Sequence, residues 1–346
     1  MELQKLTRLF AALLLSFISL HASAQDDLNQ LLKNDIEDSK ILIGEYISPF
    51  MKSVSLGLNQ GWYNTAKPHK VLGVDLTVTL SAVSIPDDET FINVSALGLK
   101  SISVDEDENP YGDRIPTAFG PKGSSRMIYR NGGTGSPEKF KGPGGLGMED
   151  EVGKNFAPVP VAHLAIGLPK GTEVKFRFVP TLNLGDEGEF NMWGIGVMHD
   201  IKQHIPGVKL LPFDLAAFAG FTKLDMVYRP EPYEDVPGDN QRSELNMTAT
   251  TIQALISKKF SVLTLYGGIG YNIATSKLAL KGTYDLNNDG DYEDISEVDP
   301  FDYKFKASGP RATAGFRLKL AVLTLHADYT FQKYNALSVG LGISIR

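Results

Sequence analysis

The residues whose types and spacing most resemble working chemistry in this 346-residue chain are Asp285, Asn287, Asp289, Gly290, Asp291 and Glu293. Oxygen donors at the first, third and fifth positions, glycine at the sixth and a backbone carbonyl at the seventh make the first half of a calcium loop, because Ca2+ gathers oxygen ligands around a tight turn. The twelfth position is Ser296, where a complete loop carries a bidentate glutamate. Glu293, Asp294 or Glu297 would supply the late carboxylate instead. A solvated acidic hairpin tip explains the same residues equally well. Calcium is the one cofactor the sequence suggests.

A second set, Asp75, Glu173, Lys175 and Arg177, occupies the polar side of two alternating segments. If those segments wall a barrel, the four side chains face its lumen and set the field there, or simply solvate a wet interior. Other chemistry finds no support. His21, His69, His163, His199, His204 and His326 show no ligand spacing, and the dipeptide His199-Asp200 is too short a signal for an acid/base pair. There is no G-x-S-x-G elbow, and the glycine runs lack the ending of a phosphate loop. With no cysteine, disulfides, thiolate zinc sites, a cysteine nucleophile and a lipoprotein anchor are excluded. A net charge of −7 without a Lys/Arg cluster argues against a nucleic-acid partner. No catalytic residue is assigned, and no enzyme is expected.

The elements that must position these groups begin with a leader. Lys5 and Arg8, the apolar run Leu9 to Leu20 and Ala22-Ser23-Ala24 form a secretory signal peptide over residues 1–24, cleaved after Ala24. From Asp26 to Ile47, apolar residues recur at three- and four-residue steps, which predicts an amphipathic helix within 25–49 that Pro49 ends. Its charged face, with Lys33, Asp35, Glu37, Asp38 and Lys40, forbids spanning a bilayer. The helix must dock in the periplasm or plug a lumen.

After Pro49 the period becomes two. Leu72, Val74, Leu76, Val78, Leu80 and Ala82 alternate with polar residues over a single long strand. Similar patterns predict strands at Ser53–Asn59, Phe91–Val104, Val161–Leu168, Glu173–Val179, Phe190–Ile201, Phe213–Tyr228, Glu244–Ile256, Val262–Leu280, Tyr303–Leu318, Val322–Gln332 and Ala336–Arg346. Long links largely alternate with short ones along this series. Outer-membrane barrels sort their connections in this way, with short periplasmic turns and longer outer loops. The expectation is therefore an all-β protein: a transmembrane antiparallel barrel of about 12 to 14 strands over 50–346, preceded by the helix. The higher count applies if a hairpin hides near Ser124–Arg130. The Gly/Pro-rich stretch 105–160 is otherwise a surface or lumen loop. Aromatics near strand ends, among them Trp62, Tyr63, Trp193, Tyr271 and Tyr329, would form interfacial girdles, or ordinary sheet packing.

Three stretches resemble an uncharacterised family of outer-membrane barrel proteins from Bacteroidota. They are Gly57 to Lys70 around Trp62-Tyr63, Lys170 to Pro180, and Trp193 to Gln203 with His199-Asp200. That resemblance implies an outer-membrane location and a barrel, with no established activity. A helix before a mid-sized barrel also resembles fatty-acid and hydrocarbon channels in architecture. The expected function is a passive channel for small apolar solutes in contact with outer-membrane lipid. The alternative is a non-transporting structural or interaction barrel whose acidic surface loops bind calcium.

Overall fold

A computed structural model describes residues 35–131, 135–183, 188–229, 237–285, 290 and 297–345. The leader and the first helical residues expected after it lie outside these.

The polypeptide enters as helix α1 (Ile36–Gly57), capped by Asp35, whose carboxylate accepts from the Glu37 and Asp38 amides. After β1 (Val74–Ser84) come five short strands: β2 (Phe91–Asn93), β3 (Ile102–Val104), β4 (Arg114–Pro116), β5 (Ser125–Tyr129) and β6 (Glu138–Gly142). A short helix, α2 (Met148–Val152), leads back to β7 (Phe156–Leu168). Then follow β8 (Thr172–Asn183), β9 (Gly188–Asp200), β10 (Asp214–Tyr228), β11 (Arg242–Phe260), β12 (Leu263–Lys281), β13 (Phe301–Leu320), β14 (Leu323–Phe331) and β15 (Ala336–Ile345). Neighbours from β7 to β15 pair antiparallel in sequence order, and β1 closes the ring by pairing with both β15 and β7.

Ten strands thus form the barrel, fewer than the 12 to 14 expected. Two predicted strands account for the difference from twelve. Ser53–Asn59 continues α1 past Pro49. Its apparent alternation misled because Ser53, Val54, Ser55, Leu56 and Gly57 are all buried, so no solvent face imposes a helical period. Phe91–Val104 breaks into β2 and β3, which pair with β4 and β5 in two small sheets outside the barrel. The hairpin near Ser124–Arg130 exists as β5–β6, but it belongs to this cap over 85–155 rather than to the wall.

Barrel polarity is inverted relative to a water-soluble sheet. Along β1, Leu76 is 50% exposed on the outside, while Asp75 is 2% exposed and Thr77, Thr79 and Ser81 are fully buried inside. Phe178, Ile195, Ile269 and Leu341 repeat the outward apolar pattern around the wall. Among the described residues no helix is long and apolar enough to cross a membrane.

One rim carries Val74, Ile345 and the connections 169–171, 201–213, 261–262 and 321–322. The other carries the cap, 237–241, 282–285, 297–300 and 332–335. The walls are uneven. β11, β12 and β13 have 19, 19 and 20 residues, while β14 has 9. Because β13 pairs with β14 only from Ala312 onward, its first half rises past the end of β14.

Helix α1 runs down through this ring. Tyr303 on β13 donates to Lys40 O at 2.9 Å near the loop rim, and Ser276 on β12 donates to Met51 O at 3.2 Å lower down. Gly57 permits the tightest approach to the wall, since a Cβ there would stand 2.5 Å from the Val159 Cγ2 atom. From Leu58 the chain continues through the lumen to Val74 at the turn rim. Residues 36–73 therefore plug the barrel.

Candidate functional site

The four lumen residues singled out from sequence all point inward. Asp75, Glu173 and Lys175 meet at the turn rim. Arg177 belongs to a separate group above them. In the lower group, Glu173 accepts from the His69 backbone amide at 2.8 Å, lies 2.6 Å from His69 Nδ1 and pairs with Lys175 Nζ at 2.6 Å. Asp75 accepts from Thr77 Oγ1 at 2.6 Å and pairs with Arg317 at 3.4 Å. The other ring nitrogen of His69 meets Ser344 Oγ at 2.9 Å. Buried charges are tolerable when paired and hydrogen-bonded, and here two acids face two bases. These groups hold the last stretch of the plug to β1, β8 and β15. They are engaged with one another and with the plug, not presented to a wet passage.

At mid-height two arginines grip the turn that follows the helix. Arg177 Nη1 donates to Leu58 O at 2.5 Å and to Thr222 Oγ1 at 3.2 Å, and its Nη2 donates to Gln60 O. Arg311 Nη1 donates to Asn59 O at 3.0 Å, and its Nη2 to Gln60 Oε1 at 2.9 Å. Leu58 caps α1 and Asn59 and Gln60 follow it, so these carbonyls have no place in the helix ladder and, once buried, need donors from elsewhere. Trp62 lies under the Arg177 guanidinium at 3.6 Å, in van der Waals and cation–π contact. Trp62 and Tyr63 are thus buried plug residues, packed on Phe218, and form no interfacial girdle. Tyr63 donates to Gln253 Oε1 at 2.5 Å, and Ser257 Oγ receives the Ala66 amide at 3.0 Å.

Above the arginines the lining turns apolar. Met51, Val54 and Leu56 of α1 pack against Val83, Val159, Phe190, Met192, Leu224, Met226 and Met247. Between Phe50, Val54 and the β9–β11 wall a cavity of about 20 Å3 remains, room for roughly one water.

The cap closes the loop rim over α1. Asp38, buried, accepts from three successive amides, Lys100, Ser101 and Ile102, at 2.7 to 3.1 Å. Leu42 and Tyr46 pack with Ile92, Ile102, Ile115 and Met127 in the cap's own core. Glu89 ties the cap to both plug and wall, pairing with Lys52 at 3.5 Å and Lys333 at 2.7 Å and accepting from the Tyr334 hydroxyl. Burial pushes its carboxyl up, but Lys333, the Tyr334 hydroxyl and Lys52 outweigh burial and hold it below its ordinary 4.5. A lowered native value means that Glu89 stabilises the docked cap above the ordinary value and ceases to do so as pH falls through the native one. Hydrogen exchange of the 85–93 amides is expected to accelerate below about pH 4.5 relative to neutral pH, after correction for intrinsic rates. Glu89→Gln is expected to flatten that acid dependence. An unchanged acid profile in the variant would contradict this assignment.

Of the calcium-loop residues, Asp285 is buried and accepts from the Gly290 amide at 3.2 Å. Asn287, Asp289, Asp291 and Glu293 lie outside the described residues. Among the described residues, no group of three or more His, Asp or Glu side chains is placed to hold a metal ion.

Residues 3–345 match a family of unknown function, DUF6588. The chain belongs to that family. A search of the curated proteins finds no match. Among solved structures, this DUF6588 protein is similar to the attachment invasion locus protein Ail of Yersinia pestis, at 8% identity and a TM-score of 0.26, covering 80% of this chain and 99% of Ail. It is also similar to the translocator domain of autotransporter NalP from Neisseria meningitidis, at 11% identity and a TM-score of 0.25, covering 86% and 93%. The toluene transporter TodX of Pseudomonas putida gives 8% identity and a TM-score of 0.25, covering 86% of this chain and 71% of TodX. The fold assignment rests on the closed strand ladder itself, not on likenesses of this size.

In the DUF6588 barrel, then, a polar lower lumen and an apolar upper lumen grip one continuous plug. Sequence reading missed Arg311, His69 and Gln60. Arg311 and Arg317 share the inward parity of β13, and that parity was the available signal. His69 and Gln60 lie in the non-repeating stretch between helix and barrel, where no period marks them.

Proposed function

We propose that this DUF6588 protein is an exported outer-membrane barrel, closed at rest by residues 36–73, that admits a small apolar solute when the plug yields. The outward belt of Leu76, Val78, Phe178, Ile195, Ile269 and Leu341 suits contact with lipid hydrocarbon. The observation that carries the solute class is the upper lumen, whose inner wall presents Phe190, Met192, Leu224, Met226 and Met247 to the plug. A polar solute gains nothing from that lining. Methionine, unbranched and polarizable, can repack when a helix moves away.

A second reading, a barrel that does not transport and displays its outer loops to calcium or a partner, is favoured by the ties on the plug at both rims. One lock separates the two. Thr65 Oγ1 on the plug lies 3.3 Å from Ser257 Oγ on β11, and the chain has no cysteine of its own. In vesicles with a lipopolysaccharide outer leaflet, Thr65→Cys with Ser257→Cys is expected to pass a small aromatic dye when reduced and to lose that passage when oxidised. Passage equal to protein-free vesicles in the wild type and in the reduced variant would favour the second reading. No catalytic role is assigned.

A further inference from the structure

On the outside of the barrel, the wall made by β11 to β14 carries two features that meet at the top of the apolar belt. The first is a groove of about 1050 Å3. Its lining includes Ala312, which stands in register between Ile269 on β12 and Phe331 on β14, two large exposed side chains, and Pro310, which stands beside the exposed Tyr271. The slot exists because β14 stops at Phe331, whose partner is Ala312, while β13 continues upward without a ladder neighbour on that side. Ser308 marks its upper end on β13.

The second feature is a basic patch directly above the slot. Residues opposite one another on antiparallel neighbours share a face. Ile252, Tyr271 and Pro310 form one outward row, and three rows higher stand Asn246, Lys277 and Lys304, with Lys306 in the row between Ser308 and Lys304. Lys277, Lys304 and Lys306 are all exposed, and among the described residues none of them has an ion-pair partner. Lys277 and Lys304 are direct cross-strand partners, a like-charge pair that weakens a ladder unless an anion sits against both. The acids next to them on this face are Asp302, one row higher, and Glu244, which Arg242 holds at 2.8 Å. Lys306 and Lys304 follow Ser308 by two and four residues, about 7 and 13 Å along the strand. At the tilt of a membrane barrel this is roughly 5 and 10 Å in height, the depth of a headgroup layer plus the reach of a lysine stem. We infer that this wall holds one phosphorylated lipid of the outer leaflet, with an acyl chain in the groove over Ala312 and the phosphate on Lys277, Lys304 and Lys306. The inference rests on the reading above that the apolar belt lies in an outer membrane with the cap outward. A soluble phosphate would use the lysines without the slot, and a neutral lipid the slot without the lysines. A phosphorylated lipid is the occupant that uses both.

Full-length protein in non-ionic detergent, freed of co-purified lipid and titrated with diphosphorylated lipid A, tests this by native mass spectrometry. One lipid per barrel is expected to be retained, at least tenfold more tightly than the same lipid stripped of its phosphates. Replacing Lys277, Lys304 and Lys306 together by glutamine is expected to weaken retention at least tenfold, and Ala312→Trp, which fills the slot, at least fivefold. Lys258→Gln with Lys259→Gln, at the turn rim, should leave it unchanged. Inorganic phosphate at matched ionic strength should not displace the lipid. Heat-modifiable gel mobility of the same samples reports the barrel separately: its absence in the wild type would sink the membrane reading and this site with it. A heat-modifiable barrel that retains both lipids equally, that loses lipid A equally in the upper and lower lysine variants, or that yields it to inorganic phosphate would overturn the lipid site alone.

Discussion

Replacing Arg177 and Arg311 together by methionine is expected to turn a silent barrel into a conducting one. In planar bilayers the wild type should show almost no ion current, because α1 and residues 58–73 fill the lumen from rim to rim. Each arginine donates to carbonyl or side-chain oxygens of Leu58, Asn59 and Gln60, which the plug presents only when seated. Hydrogen bonds from a charged donor contribute about 1.5–3 kcal/mol each, and leaving the buried carbonyls without partners adds to the loss. Methionine also removes a buried charge that costs desolvation energy, so overall barrel stability changes less than the seating of the plug. A net shift of about 3 kcal/mol raises the unseated fraction on the order of a hundredfold. Frequent openings in the double variant, with its heat-modifiable gel mobility retained, is the expected result. A folded double variant as silent as the wild type would show that the arginines do not seat the plug.

Asp38→Ala is expected to free the cap while leaving the barrel intact. The Asp38 carboxylate is the shared acceptor for the Lys100, Ser101 and Ile102 amides, and in its absence the buried Ser101 and Ile102 donors lose their partner beside the cap's apolar core. Leaving two buried amides and one part-buried amide unsatisfied costs about 3–5 kcal/mol, less whatever water recovers by entering. Asp38→Asn keeps one acceptor oxygen and is expected to lose only about a third to a half as much. The loss should be local. Amide exchange at 100–104 and 125–129 should accelerate by two or more orders of magnitude in Asp38→Ala, while the β11–β12 ladder stays protected. Uniform acceleration across both regions would mean that Asp38 supports the whole fold rather than the seam between helix and cap.

How far the sequence reveals this molecule depends on whether a segment has two different faces. β1 was legible because Leu76, Val78 and Leu80 face outward and Asp75, Thr77 and Thr79 face the lumen, giving each residue's parity a physical meaning. The same parity rule put Glu173, Lys175 and Arg177 inside. Inside the barrel that meaning disappears. Ser53 to Gly57 are enclosed on every side, so alternating serine and aliphatic residues read as a strand although the backbone is helical. The cap failed for a different reason: β2, β3 and β4 have three residues each, too short to show any period. That the charges would pair with one another and with the plug was not legible either. His69 and Glu173 are far apart in the chain, and only ring closure brings them to 2.6 Å.

A cysteine pair at Thr65 and Ser257 reports whether the chain's own N-terminal segment fills its barrel. Expressed in cells whose envelope oxidises thiols, the double-cysteine variant is expected to form one intramolecular disulfide nearly quantitatively, visible as an altered mobility on non-reducing gels. Each single variant should resist maleimide labelling until the barrel is unfolded. Free, readily labelled thiols in a folded, heat-modifiable double variant would place the segment outside the lumen and contradict the account.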